Sequence, residues 1–158
     1  MQERRVGRKD VVVGLTASGR TPFVWGALRQ AKQSGAKTVL VTAHASWRPE
    51  KAGVRPDAVV RLDVGPELIA GSTRLKAGTV TKVVCNIFSS VAMIRKGRVY
   101  DNLMVNVVPS NDKLRARAVR LVRLLTKTSA ERAVEALRRG EGRVMEALKF
   151  LRGPKVQR

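Results

Sequence analysis

The chain has 158 residues, 44% of them apolar, with 32 basic against 12 acidic side chains and a single cysteine. That length suits one ordinary globular domain with a real core. The composition excludes an internal disulfide, no apolar run is long enough to cross a bilayer, and Met1 to Arg5 lack the apolar stretch of a secretory signal. These features point to the cytoplasm. The positive excess is spread along the chain: 18 basic and 7 acidic residues fall in 1–109, and 14 and 5 in 110–158. With aromatics at 4% there is no stacking platform for single-stranded nucleic acid. The charge reads as solvated surface that attracts anionic ligands.

Residues 1–9 are basic and flank the fold. Val11 to Val13 are β-branched and uninterrupted, as in a strand covered on both faces, and Asp10 to Leu15 form the first strand. Gly14, Ser18 and Gly19 let the backbone turn and approach a ligand. Thr21-Pro22 opens a helix, with Thr as cap and Pro at the first helical position. A small polar loop running into a helix N-terminus is an anion site, and the Ser18 and Thr21 hydroxyls add donors. A plain strand-to-helix turn uses the same residue types. Phe23, Val24, Ala27, Leu28 and Ala31 predict an amphipathic helix over 22–34, stopped by Gly35. Lys37 to Thr42 is a second strand, which completes a parallel β-α-β unit.

Residues 43–57 form a loop at the carboxyl end of the second strand, where ligands collect in open parallel sheets. It carries the only histidine, His44. Asp57 to Val64 is a third strand at an edge. The block from Glu67 to Thr79 then concentrates a carboxylate, two hydroxyls and two cations around Gly71 and Gly78. The glycines signal close contacts or a break. Val80, Val84, Ile87, Val91 and Ile94 line one face of a long helix, expected to be buried against the sheet or a partner chain, with Cys85 a small core residue. Tyr100 to Pro109 is extended. Beyond it Leu114, Ala118, Leu121 and Leu125 stripe one helix, a Thr128…Glu131 capping box opens a second, and Gly140 separates a third. These three make a small C-terminal bundle.

Three stretches carry a resemblance: Asp10 through Ala17-Ser18-Gly19-Arg20-Thr21-Pro22; Gly65-Pro66-Glu67 through Gly71-Ser72-Thr73-Arg74-Leu75-Lys76-Ala77-Gly78-Thr79; and Asn102 to Val107 with Asn111 to Leu114. In that order they closely resemble the N-acetylmuramic acid 6-phosphate etherase family. That family includes the glucokinase regulatory protein and has the sugar isomerase (SIS) fold. The likeness runs from about Asp10 to about Leu151 and covers the family's C-terminal half.

The resemblance implies an α/β fold. A partial SIS-type parallel sheet flanked by helices occupies residues 1–109 and binds a phosphosugar; a helical region follows over 110–158. It implies elimination of D-lactate from N-acetylmuramic acid 6-phosphate, giving N-acetylglucosamine 6-phosphate. Thr16, Ser18, Gly19, Arg20 and Thr21 are expected to cradle the phosphate, with Ser72, Thr73 and Lys76 near the sugar. The reaction needs a base for the proton at C2 and an acid for the ether oxygen. The two glutamates credited with that work lie in the family's N-terminal half, so Glu67 is the carboxylate left here for a catalytic role. A non-enzymatic sugar-phosphate sensor is a second reading, and a basic nucleic-acid-associated protein a less favoured third. No metal and no cofactor are implied. The expected partners are the phosphosugar, and a second copy or an N-terminal-half polypeptide; no membrane or nucleic acid is expected.

Overall fold

The structure, a computed structural model, describes residues 6–46 and 53–153. The elements run β1 (Val11–Leu15), α1 (Pro22–Gln33), β2 (Lys37–Thr42), β3 (Ala58–Arg61), α2 (Lys76–Arg95), β4 (Val99–Tyr100), β5 (Leu103–Met104), α3 (Asp112–Thr126), α4 (Ala130–Arg139) and α5 (Val144–Arg152). The chain divides into two compact units at Ile87/Phe88.

The first unit is an α/β layer. β1, β2 and β3 form a parallel sheet in sequence order, with Val13 opposite Val39 and Leu40 opposite Val59. α1 packs on it through Val24, Trp25 and Leu28, which meet Leu40 and the flanking Val12, Val54 and Val59. Gly14 sets how close the helix comes. A Cβ there would lie 2.6 Å from Val24 Cγ1 and 3.1 Å from Leu28 Cδ1, so any side chain would push α1 off the strand. The inward stripe is therefore Val24, Trp25, Leu28 and Ala31. Phe23, expected inward, is 84% exposed; the stripe is turned by one residue because Trp25 reaches back beneath the preceding loop. β1 is an edge strand, and its Val11, Val13 and Leu15 are exposed.

The second unit has its own core. α3, α4 and α5 enclose Ala118, Leu121, Val122, Ala133, Ala136, Leu137, Val144, Ala147 and Leu148, and Val105 and Val107 join them from the segment after β5. That segment was expected to be extended to Pro109. It is instead a two-residue hairpin, Val99 opposite Met104, turning at Asp101 with φ 54°, followed by irregular chain. α3 is capped by Asn111, whose side chain accepts from Leu114 N. The cap of α4 is Ser129, which accepts from Arg132 N, one residue beyond the expected Thr128.

α2 differs most from expectation. Only Ala77 is buried along its 20 residues, and Val83, Ile87, Phe88, Val91 and Ile94 are exposed. The apolar face, expected to pack on the sheet or on a partner chain, is exposed in this single chain. Cys85 is half-buried, not in a core. By length and composition this helix is also apolar enough to cross a bilayer, with a mean hydropathy of 1.4. The sequence alone hid this because Lys82 interrupts the run.

Candidate functional site

The first candidate loop, Thr16 to Thr21, sits where β1 hands over to α1. Four contacts fix it. Thr16 N donates to Val41 O at 3.0 Å, so the parallel ladder continues one residue into the loop. The Thr16 and Thr21 hydroxyls lie 2.8 Å apart and bridge its two ends. Thr42 Oγ1, at the end of β2, donates to Ala17 O at 3.2 Å. The Trp25 indole Nε1 donates to Gly19 O at 2.8 Å in a buried position.

Gly19 takes φ 73°, the left-handed conformation that glycine adopts without strain. It is buried while Ser18, Arg20 and Thr21 face solvent. The Ser18 hydroxyl accepts from Arg20 N at 3.3 Å. α1 begins at Pro22, and its N-cap Thr21 makes no side-chain capping bond. Thr21's hydroxyl turns to Thr16 instead, leaving the start of α1 for an incoming anion. The loop is thus rigid beneath and open above. That is the arrangement for receiving a phosphate on backbone amides, the Ser18 hydroxyl and the Arg20 cation.

The second candidate group lies between Gly65 and Ala77. Gly65 (φ 61°) and Gly71 (φ 81°) bend the chain into a turn that ends where α2 starts; of the two glycines expected to mark close contacts or a break, Gly71 lies in this turn and Gly78 lies inside α2. Glu67 closes this turn. One carboxylate oxygen accepts from Lys76 N at 2.9 Å and the other from Ala77 N at 3.0 Å. Those bonds, Ala77's first and then Lys76's, hold its carboxyl below the usual range, and the Lys76 charge adds to the effect. Glu67 is an anion capping α2. Ser72 is half-buried, and Thr73 and Lys76 are exposed. The Lys76 ammonium lies 3.8 Å from the position of a Cβ on Gly65.

The structure therefore brings Thr16, Ser18, Gly19, Arg20 and Thr21 into one loop, and Glu67, Ser72, Thr73 and Lys76 into another. No hydrogen bond or ion pair among the described residues joins the two groups. His44 lies beside β2, its N–H on Thr42 Oγ1 at 3.2 Å and its Nδ1 3.4 Å from Ser46 Oγ. Trp47 to Glu50, from the same loop, are outside the described residues. Among the described residues no cluster of His, Cys, Asp or Glu is arranged to hold a metal ion.

No family model matches the chain. Curated relatives do. A protein of Bacillus licheniformis named N-acetylmuramic acid 6-phosphate etherase 1 is 44% identical over 147 residues, 93% of this chain and 47% of the relative. Etherases of Trichodesmium erythraeum and Crocosphaera subtropica are each 49% identical, over 88% and 92% of this chain and 44% and 47% of their own lengths. The chain is a homologue of about half of an N-acetylmuramic acid 6-phosphate etherase. It spans about half the length of the curated relatives it matches.

Two residues that brace the etherase-like loop escaped the sequence reading. Trp25 was passed over because helical spacing ranked Phe23 and Ala27 above it. Its position four residues after a loop-ending Thr was the available signal, since an indole there reaches back to the loop. Thr42 was read only as the end of a strand. In a parallel pair, the last residue of β2 is placed beside the loop that follows β1, and a hydroxyl there has a carbonyl to bond.

Proposed function

We propose that this chain is the phosphosugar-binding half of an etherase acting on N-acetylmuramic acid 6-phosphate, with an SIS-type sheet in its first part. The 6-phosphate sits on the Thr16–Thr21 loop, held by backbone amides, the Ser18 hydroxyl and Arg20. Ser72, Thr73 and Lys76 approach the sugar. The work belongs to cytoplasmic amino sugar recycling: lactate leaves as the ether breaks, and water addition gives N-acetylglucosamine 6-phosphate. The observation that carries this reading is the loop itself, braced by Trp25 and Thr42 in a chain 43–49% identical to named etherases over about nine-tenths of its length.

Glu67 has both oxygens on backbone amides. A carboxylate so held is a weak base, and its role in this reading is to hold the Ser72–Thr73 turn against α2. The acid and base come from the half of the etherase sequence outside the match, in the same polypeptide or in a partner. By itself the 158-residue chain binds phosphosugar and releases no lactate. The same engagement of Glu67 also suits a second reading, a sugar-phosphate sensor that binds without turnover.

Calorimetric titration with N-acetylglucosamine 6-phosphate and N-acetylmuramic acid 6-phosphate, against DNA as the anionic control, tests binding. Saturable phosphosugar binding lost in Ser18→Ala/Arg20→Ala supports the proposal; binding to DNA alone overturns it. Lactate release by the isolated chain, abolished by Glu67→Gln, would make Glu67 the working base. Turnover on adding the remaining etherase half separates an enzyme half from a sensor.

A further inference from the structure

His44 is the chain's only histidine, and the phosphate-loop bracing described above makes no use of its side chain. It follows β2 at the carboxyl end of the sheet, next to the loop that follows β1. Ligands of open parallel sheets collect in that crevice. Thr42 ties the two segments together: its Oγ1 accepts from His44 N at 3.2 Å and donates to Ala17 O at 3.2 Å. Two hydrogen bonds therefore separate the His44 backbone from the Thr16–Thr21 loop, a gap that an imidazole can span. His44 is half-buried. Its Nδ1 lies 3.4 Å from Ser46 Oγ, within its own loop, and no hydrogen bond or ion pair among the described residues engages Nε2.

From this placement we infer that the His44 imidazole belongs to the phosphosugar site and donates from Nε2 to the anionic group on the Thr16–Thr21 loop. The inference rests on the phosphosugar reading above. A neutral ring whose Nδ1 accepts from the Ser46 hydroxyl carries its proton on Nε2, and the imidazolium donates from both nitrogens. Either form has a donor to offer, and the charged form holds an anion more tightly. The loop itself brings one cationic side chain, Arg20. A phosphate monoester carries close to two negative charges at neutral pH, so the second is left for a group across the crevice. The other charged residues at this end of the sheet are Arg61 and Asp63. They flank Leu62, whose N donates to Thr42 O at 2.8 Å, and they belong to the β3 side of β2, away from the loop after β1. Their charges oppose one another. Arg48 and Glu50 follow in the same loop as His44 and lie outside the described residues. A histidine that only holds its own loop would not respond to the charge of a bound sugar.

The test uses the full chain and two probes, N-acetylglucosamine 6-phosphate and N-acetylglucosamine 6-sulfate. The phosphate loses its second proton in the range where imidazole titrates; the sulfate keeps one negative charge throughout and so isolates the ring. Calorimetric affinity for the sulfate should fall about three- to tenfold between about pH 5.5 and 8. His44→Gln, which keeps a neutral donor, should flatten that profile. Lys37→Gln removes one charge at the opposite end of β2 and should leave the profile as in wild type. A second readout needs no variant. The ring resonances of the single histidine in the isotopically labelled chain should move on saturation with the 6-phosphate and stay in place with N-acetylglucosamine. Overturning results are a pH profile unchanged by His44→Gln, the same flattening by Lys37→Gln, or ring resonances that stay in place while the Ser18 and Arg20 amides move. The outcomes also separate the two readings. Phosphosugar binding that ignores His44 defeats only this inference, whereas no movement of the Ser18 and Arg20 amides with either probe defeats the phosphosugar reading and this inference with it.

Discussion

Trp25→Phe is the sharpest probe of the proposed phosphate loop. The indole N–H to Gly19 O bond, 2.8 Å and buried, is the only contact of the four that the substitution removes. Leaving a buried carbonyl without that donor costs about 1–3 kcal/mol. The lost ring volume, roughly 40 Å³, adds about 1 kcal/mol at ~24 cal/mol per Å³. The total of about 2–4 kcal/mol corresponds to a fall in melting temperature of roughly 5–15 °C. The loop must then be ordered by the ligand, so phosphosugar affinity should fall by about tenfold, or ~1.4 kcal/mol. Leu28→Val is the control. It thins the same core, costs about 1–2 kcal/mol, and touches no loop contact. Melting followed by circular dichroism and binding by calorimetry, both run well below the transition, separate the two effects. If Trp25→Phe binds phosphosugar with wild-type affinity, or Leu28→Val loses as much, the loop is not what the indole positions.

Thr42→Val keeps the shape of a fully buried side chain but deletes its hydroxyl, which donates to Ala17 O and accepts from His44 N. It should cost about 1–3 kcal/mol and weaken phosphosugar binding, read by denaturant titration and calorimetry; unchanged stability would show that the bond contributes nothing. Asp57 accepts from the Thr38 hydroxyl and from Thr38 N, and these bonds, with Lys32 and Lys37 nearby, lower its pKa from 3.8 to about 2. A carboxyl lowered on folding adds stability that is complete above its unfolded value and lost as pH falls from about 5 towards 2. Asp57→Asn should therefore flatten the melting-temperature profile in that window and leave its slope near pH 7 unchanged; a parallel profile would contradict this.

What the sequence showed and what it hid differ in physical kind. The β-α-β unit was legible because Val11 to Val13, the Gly35 stop and Lys37 to Thr42 act locally. The strand-to-helix loop was legible as small residues running into Thr21-Pro22. Its bracing was not, because Trp25 and Thr42 act across the chain and their bonds depend on how α1 and β2 meet β1. The rotation of α1 that exposes Phe23 has the same origin. α2 shows the limit from the other side. Its apolar spacing was legible, but which surface covers that face, the sheet or a partner chain, was not, since spacing reports a face and says nothing of what lies opposite.

The fold offers two helix N-termini beside hydroxyl-rich turns, and both carry the residue types expected around a phosphosugar. Only one is open to a phosphate. At α2 the Glu67 carboxylate already occupies the Lys76 and Ala77 amides, and a second anion there would face it at close range. At α1, Thr21 makes no side-chain capping bond. In the proposed function the phosphate is therefore assigned to α1, and α2 is left to meet the sugar through Ser72, Thr73 and Lys76. Titrating inorganic phosphate into the isotopically labelled chain should shift the amides of Ser18 to Val24 and leave Lys76 and Ala77 in place. Glu67→Ala removes the resident anion, and phosphate should then move both sets. Lys76 and Ala77 moving first in the wild-type chain would reverse the assignment and put the phosphate at α2.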